Sequence, residues 1–175
     1  MTFFVRTARL TAVAAFVVAL CTVGVRAETL NSTQWGFSIA FPCQTELGSQ
    51  PVPTKVGKIT MISYSCAVGQ TGYFVAIADF PAGSITQQNP DAVYNGTMQG
   101  AASNAKGTVR SAVPYTLGNV TGRDVLIDVP SDNMAIHARY FLVGDRQFQV
   151  MYLGATGDEN SKDALDFLNS FTLQP

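Results

Sequence analysis

A single histidine, His137, is where acid–base chemistry in this sequence would have to begin. Histidine is the side chain whose ordinary titration lies nearest neutral pH, and Arg139 two positions on would share its face of a strand. One histidine is not a constellation, however. A hydrolase would need His137 joined in space by a serine or a carboxylate. No Gly-x-Ser-x-Gly elbow presents a nucleophile, and no Walker loop or glycine fingerprint awaits a phosphate. No cofactor is expected. His137 reads as a partly exposed sheet residue.

Metal chemistry has equally thin support. Zinc takes a cluster of nitrogen and sulfur ligands, which one histidine and two paired cysteines do not supply. Calcium prefers oxygens, and two segments offer them: Asp128, Asp132 and Asn133, then Asp158, Glu159, Asn160 and Asp163. Neither has the ligand spacing and glycine of an EF-hand loop. The first reads as turn chemistry, with Asp and Asn bonding their own backbone. The second reads as helix capping and dipole complementarity. Paired carboxylates for sugar hydrolysis have many candidates and nothing that selects a pair.

The amino-terminal residues point to export. Arg6 and Arg9 precede an apolar run from Leu10 to Val25, and Val25-Arg26-Ala27 places small residues at the −3 and −1 positions of a cleavage site. That is a signal peptide over residues 1–27, its run shorter than the ~20 residues a spanning helix needs. Cys21 follows Leu20, where a lipobox requires a small residue. Cleavage after Ala27 leaves 148 residues, read as one α+β domain over residues 28–175 with no membrane span. Without Arg6, Arg9 and Arg26, eight basic residues face twelve acidic ones, a net charge of −4. No clustered basic face suits nucleic acid, and no polybasic segment suits anionic lipid. Cys43 and Cys66, the two cysteines left in an exported chain, are expected to form a disulfide. Neither belongs to a Cys-x-x-Cys motif, and neither has a basic neighbour to activate it. Asn31, Asn95 and Asn119 head glycosylation sequons, which matter only in a eukaryotic secretory pathway.

The elements that would position these residues follow from periodicity. Glu28 to Gln34 is polar and expected to fray. Trp35, Phe37, Ile39 and Phe41 alternate with small residues, which is a strand, and Pro42 ends it. Gln44 to Lys58 reads as a loop because of its glycines and prolines. Ile59–Ala67 and Tyr73–Phe80 are strands, the latter apolar on both faces and so interior. Asn89-Pro90-Asp91 starts a helix with a stripe at Tyr94, Met98, Ala101 and Ala105, ending at Lys106-Gly107. Thr108–Leu117, interrupted by Pro114, is an edge strand, and Val120–Val129 follows it. Asn160 caps a last helix with Ala164, Leu165, Leu168 and Phe171 inward.

Between them lies Met134–Gly154, the longest patterned segment and the expected centre of the sheet. Its register has two solutions. A two-residue loop at Gly144-Asp145 mixes His137 and Arg139 with Phe141, Phe148 and Val150 on one face. A three-residue loop, Gly144 to Arg146, instead gathers Ile136, Ala138, Tyr140 and Leu142 with Phe148, Val150 and Tyr152. A one-residue slip turns over a whole strand, and the cleaner hydrophobic separation favours the longer loop.

The order β-β-β-α-β-β-β-β-α, with Gly36-Phe37-Ser38-Ile39-Ala40-Phe41-Pro42 at its start, resembles the Mog1/PsbP-like group. Gly122-Arg123-Asp124, Arg139-Tyr140 with Gly144-Asp145-Arg146 and Phe148, and Ala164-Leu165-Asp166-Phe167-Leu168-Asn169-Ser170-Phe171 also match. The resemblance covers nearly the whole mature chain through loose hydrophobic signatures. It implies an antiparallel sheet of six to seven strands between two main helices, the last helix running into a short terminal strand. It also implies an accessory or binding role, and no site residues carry over. The expectation is an exported, soluble, non-catalytic protein of the periplasm or envelope that acts through contact with a protein partner. The alternatives are a small secreted hydrolase using His137 and a small-ligand carrier with an apolar pocket between sheet and helix.

Overall fold

A computed structural model describes residues 27–54 and 56–174. The leader expected over residues 1–27 lies, apart from Ala27, outside them. In chain order the elements are β1 (Glu28–Ser32), β2 (Phe37–Phe41), β3 (Glu46–Thr54), β4 (Gly57–Val68), β5 (Thr71–Asp79) and α1 (Pro90–Asn104). Then come β6 (Thr108–Leu117), β7 (Val120–Val129), β8 (Met134–Val143), β9 (Arg146–Ala155), α2 (Lys162–Asn169) and β10 (Thr172–Leu173). Seven strands form one antiparallel sheet in the order β3-β4-β5-β9-β8-β7-β6, and β1-β2-β10 form a second, smaller one. The architecture is α+β, with β8 and β9 at the centre and β6 at an edge. No helix among the described residues is long and apolar enough to cross a membrane.

Each face of the large sheet has its own core. On one, Tyr94, Met98 and Ala102 of α1 pack on Val125, Ile127, Ile136, Ala138 and Tyr140. On the other, Phe37, Ile39 and Phe41 of β2 and Phe167 and Leu168 of α2 cover Val75, Ile77, Phe148 and Val150. Phe171 closes that second core, its ring 5.6 Å from Phe141, 5.7 Å from Phe37 and 5.8 Å from Phe148.

Several expectations are corrected. The small sheet was not foreseen: Glu28–Ser32 does not fray but pairs residue for residue with Phe41–Phe37, backbone bonding that a polar side-chain pattern conceals. Gln44 to Lys58 is not a loop, since β3 runs through it alongside β4. Pro51 and Pro53 lie two apart and so remove donors from one side only, the outer side of an edge strand, where none are needed. Ser161, not Asn160, caps α2, its hydroxyl accepting from Ala164 N at 3.3 Å. Phe167 rather than Leu165 completes that helix's buried stripe. Asn89 caps α1 by accepting from Asp91 N at 2.9 Å.

The central hairpin takes the register that hydrophobic pattern disfavours. Val143 pairs with Arg146, Phe141 with Phe148, Arg139 with Val150 and His137 with Tyr152, so the loop is Gly144-Asp145 alone. Gly144 has φ +61°, the left-handed value that the first position of a II′ loop requires. Asp145 then fixes the tip. Its carboxylate accepts from the backbone N–H groups of Gly83, Ile85 and Thr86 at 2.7, 2.9 and 3.1 Å. The bonds from Gly83, Ile85 and Thr86 hold that carboxyl below the ordinary aspartate range. This register turns His137 and Arg139 inward. His137 is only 4% exposed, not the partly exposed residue its neighbours suggested.

Candidate functional site

Burying a histidine and an arginine in an apolar layer is costly unless every polar atom finds a partner. The partner is Asp124. It lies on β7 directly opposite Arg139, with His137 two positions along β8 on the same face. Asp124 Oδ1 meets His137 Nε2 at 2.8 Å, and its Oδ2 accepts from Arg139 Nε at 2.9 Å. Gly122 lets the strands close up here, because a Cβ at that position would lie 2.7 Å from a ring carbon of Phe141. Burial alone would raise the Asp124 carboxyl, but the bonds from His137 and Arg139 outweigh it and lower it.

The network continues outward on both sides. Arg139 Nη1 donates to the Tyr115 hydroxyl at 3.0 Å and to Asn169 Oδ1 at 2.9 Å, and its guanidinium lies 4.0 Å over the Tyr115 ring. His137 Nδ1 meets the Glu159 carbonyl at 2.7 Å. Both ring nitrogens thus face oxygen atoms of the fold. Glu159, also buried, accepts from Gly157 N at 2.7 Å and pairs with Arg110. Burial would raise its carboxyl, but Arg110 and the nearby backbone N–H groups lower it. Arg110 is the extra residue of a bulge, since Val109 pairs with Ile127 and Ser111 with Leu126. Such a bulge re-aims a side chain, and here Arg110 reaches both Glu159 and Asp128, the latter at 3.4 Å.

This arrangement ties elements of the fold together. It joins β6, β7, β8, the end of α2 and the connector before α2. A general base needs a ring nitrogen free to meet its substrate, and both nitrogens of His137 are already engaged within the fold. Some members of the two acidic segments weighed for calcium have partners within the fold. Asp128 faces Arg110, and Asn133 takes φ +53° to end a short 3-10 turn over Pro130–Asp132. Glu159 points inward, and Asp158 O accepts from Ser161 N. Among the described residues, no group of three or more His, Cys, Asp or Glu side chains is placed to hold a metal ion. Asn31, Asn95 and Asn119 are all exposed.

Sequence reasoning found His137 and Arg139 but not Asp124, Glu159, Tyr115, Asn169 or Arg110 as their partners. One signal was legible: Asp124 immediately precedes the apolar run Val125-Leu126-Ile127 in the strand that neighbours the one holding the lone histidine. Glu159 looked like a surface residue of a capping cluster, and only the path of the connector turns it in.

Two open clefts mark the surface. One, of about 490 Å³, lies at the tip of the β8–β9 hairpin beside Trp35, Asp79 and Arg146. There Arg146 binds both Asp79 oxygens, at 2.5 and 2.8 Å, donates to the Trp35 carbonyl at 3.1 Å and lies 5.2 Å over the indole. The other, of about 640 Å³, is walled by Phe74, Met151 and Leu153 next to the disulfide. That bridge, Cys43–Cys66, spans Cα atoms 5.9 Å apart and ties the exit of the small sheet to β4.

No protein-family model matches the chain. No curated protein is similar to it in sequence at a significant level. Among solved structures, the solution structure of cyanobacterial PsbP (CyanoP) from Synechocystis sp. PCC 6803 superposes with a TM-score of 0.57. Identity is 11%, and the match covers 91% of this chain and 97% of that one. The likeness is one of fold, and it agrees with the PsbP-like resemblance carried by the sequence.

Proposed function

We propose that this chain is an exported, non-catalytic accessory module that acts by contact with a protein partner in the periplasm or cell envelope. One observation carries the proposal. The only histidine in the sequence, with the arginine and carboxylates around it, is spent on a buried network that holds elements together. What supports export is the leader-like composition of residues 1–27 together with a disulfide, a bond that persists in oxidising compartments. The fold shared with cyanobacterial PsbP supports an accessory role by analogy.

The hydrolase reading loses its general base, since His137 is buried and bonded at both nitrogens. The carrier reading asks for an apolar space between sheet and helix, where Tyr94, Met98 and Ala102 already pack. Expressing the tagged full chain in a bacterium tests the proposal in two steps. Fractionation and amino-terminal sequencing should give a periplasmic product beginning at Glu28; a cytoplasmic, uncleaved chain rejects export. Cross-linking and isolation from envelope extract should then recover the same partner, in near-stoichiometric amount, under several conditions. Recovery of the protein alone throughout rejects the contact role.

A further inference from the structure

The cleft at the hairpin tip has a lining with its own chemistry. A guanidinium carries five N–H donors. Among the described residues, three of those on Arg146 are taken by Asp79 and the Trp35 carbonyl. One hydrogen on each of Nη1 and Nη2 is left over, and each Asp79 oxygen keeps a second lone pair. The result is a planar unit, fixed against an indole, that can donate and accept side by side. Gln34 and Gln174 add two more amides of the same dual character, and Thr33 adds a hydroxyl at the rim.

Three ligand classes fit this lining poorly. Asp79 and Asp145 outnumber Arg146, so the local charge disfavours an anion. Of the lining strands, β5, β8 and β9 are interior to the large sheet, and β10 at the edge of the small one is only two residues long, too short a ladder for an added peptide strand. A purely apolar ligand would strip water from the amides and carboxylates and return nothing. A hydroxyl is the group that both donates and accepts, and several in a row on a ring match alternating donors and acceptors. Trp35, which also lines the cleft, adds apolar surface for the C–H groups of such a ring. We infer that this cleft binds a neutral polyhydroxylated ligand, a pyranose or short oligosaccharide. Its volume of about 490 Å³ lies within the usual range for small-molecule sites. This site is independent of the proposed partner role.

Trp35 is the only tryptophan in the chain, so its emission reports on the cleft directly. The full chain is titrated with glucose, galactose, N-acetylglucosamine, maltose and cellobiose to ~100 mM, a range that captures millimolar dissociation constants. At least one sugar should give a saturable emission change, with amide shifts in 15N spectra confined to residues 33–36, 79–80, 143–148 and 173–174. D79N removes the charge pair, and the double variant Q34A/Q174A removes two surface amides without touching the core. Each should weaken binding by about tenfold or more. Absence of any saturable response, shifts centred elsewhere, or unchanged binding in both variants overturns the inference. A saturable response to phosphate or to a short peptide, with none to the sugars, overturns it as well.

Discussion

Asp124 is the residue on which the buried polar network depends. It bonds both His137 and Arg139 of β8, and removing it leaves two buried side chains without their shared partner. Breaking a buried pair by deleting one partner costs about 3–5 kcal/mol. D124A should therefore lower the unfolding free energy by that order, read from urea midpoints, and D124N by less because it can still accept from one donor. The same residue gives a pH signature. Asp124 and Glu159 are held below their ordinary values in the fold, so at acid pH the unfolded chain binds more protons than the folded one. Their contribution is complete above the unfolded values near ~4 and is lost as pH falls through the depressed folded values. Urea midpoints between pH 5 and pH 2 should fall steeply in the parent chain and less steeply in D124N. Equal slopes would remove Asp124 from the titration. These residues also mark where sequence reading stopped. His137 and Arg139 were visible as an oddity on an apolar strand. Hydrophobic pattern, which treats a polar residue as outward, then chose the wrong register, because it has no means of seeing that Asp124, Glu159, Tyr115 and Asn169 satisfy them.

At the scale of elements, α1 separates tolerated glycines from required ones. Gly96 and Gly100 have no atom within 4 Å of an added Cβ. They face open space rather than the sheet, and each carries the backbone-entropy cost of a helical glycine. G96A and G100A should each stabilise the protein by about 0.8–1 kcal/mol, measured by thermal or urea unfolding. Gly107 is different. It follows Lys106, which takes the left-handed turn at φ +53°. Gly107 N then bonds the Ala102 carbonyl and Lys106 N the Ser103 carbonyl, the pattern of a Schellman ending. An added Cβ at Gly107 would collide with the Asp128 carbonyl and lie 3.0 Å from a methyl of Ile127. G107A should therefore destabilise where the other two stabilise, and a shared sign among all three would contradict this account of the helix. The helix itself was legible because its cap, proline and stripe are local signals. The closeness of Gly107 to β7 was not, because it depends on how the chain returns to the sheet. The same division explains β1 and β3: an edge strand needs backbone partners on one side only, so its side chains can look like a loop.

At the scale of the molecule, the two sheets and α2 are joined across one aromatic layer, with α1 on the opposite face of the large sheet, and the disulfide is the covalent link between the sheets. Cys43 lies just beyond β2, and Cys66 is in β4 beside Tyr73 of β5. The noncovalent link in the same layer is substantial: Phe37, Phe41, Phe167 and Phe171 bury their rings among residues of β5, β8 and β9. The bridge should thus raise stability without being needed for the fold to form. With a sequence separation of 23, closure of the loop in the unfolded chain is worth ~3 kcal/mol in the chain-entropy picture. A domain of this size has a total stability of about 5–15 kcal/mol, so that loss leaves a folded but weaker protein. The double variant C43A/C66A should keep the near-ultraviolet circular dichroism of the parent and unfold at a lower urea concentration. Its slope with denaturant should rise slightly, because an uncrosslinked chain exposes more surface on unfolding. Reductant should bring the parent to the same midpoint and leave the double variant unchanged. A variant that loses its near-ultraviolet signal in buffer would show instead that the aromatic layer cannot hold the small sheet without the covalent link.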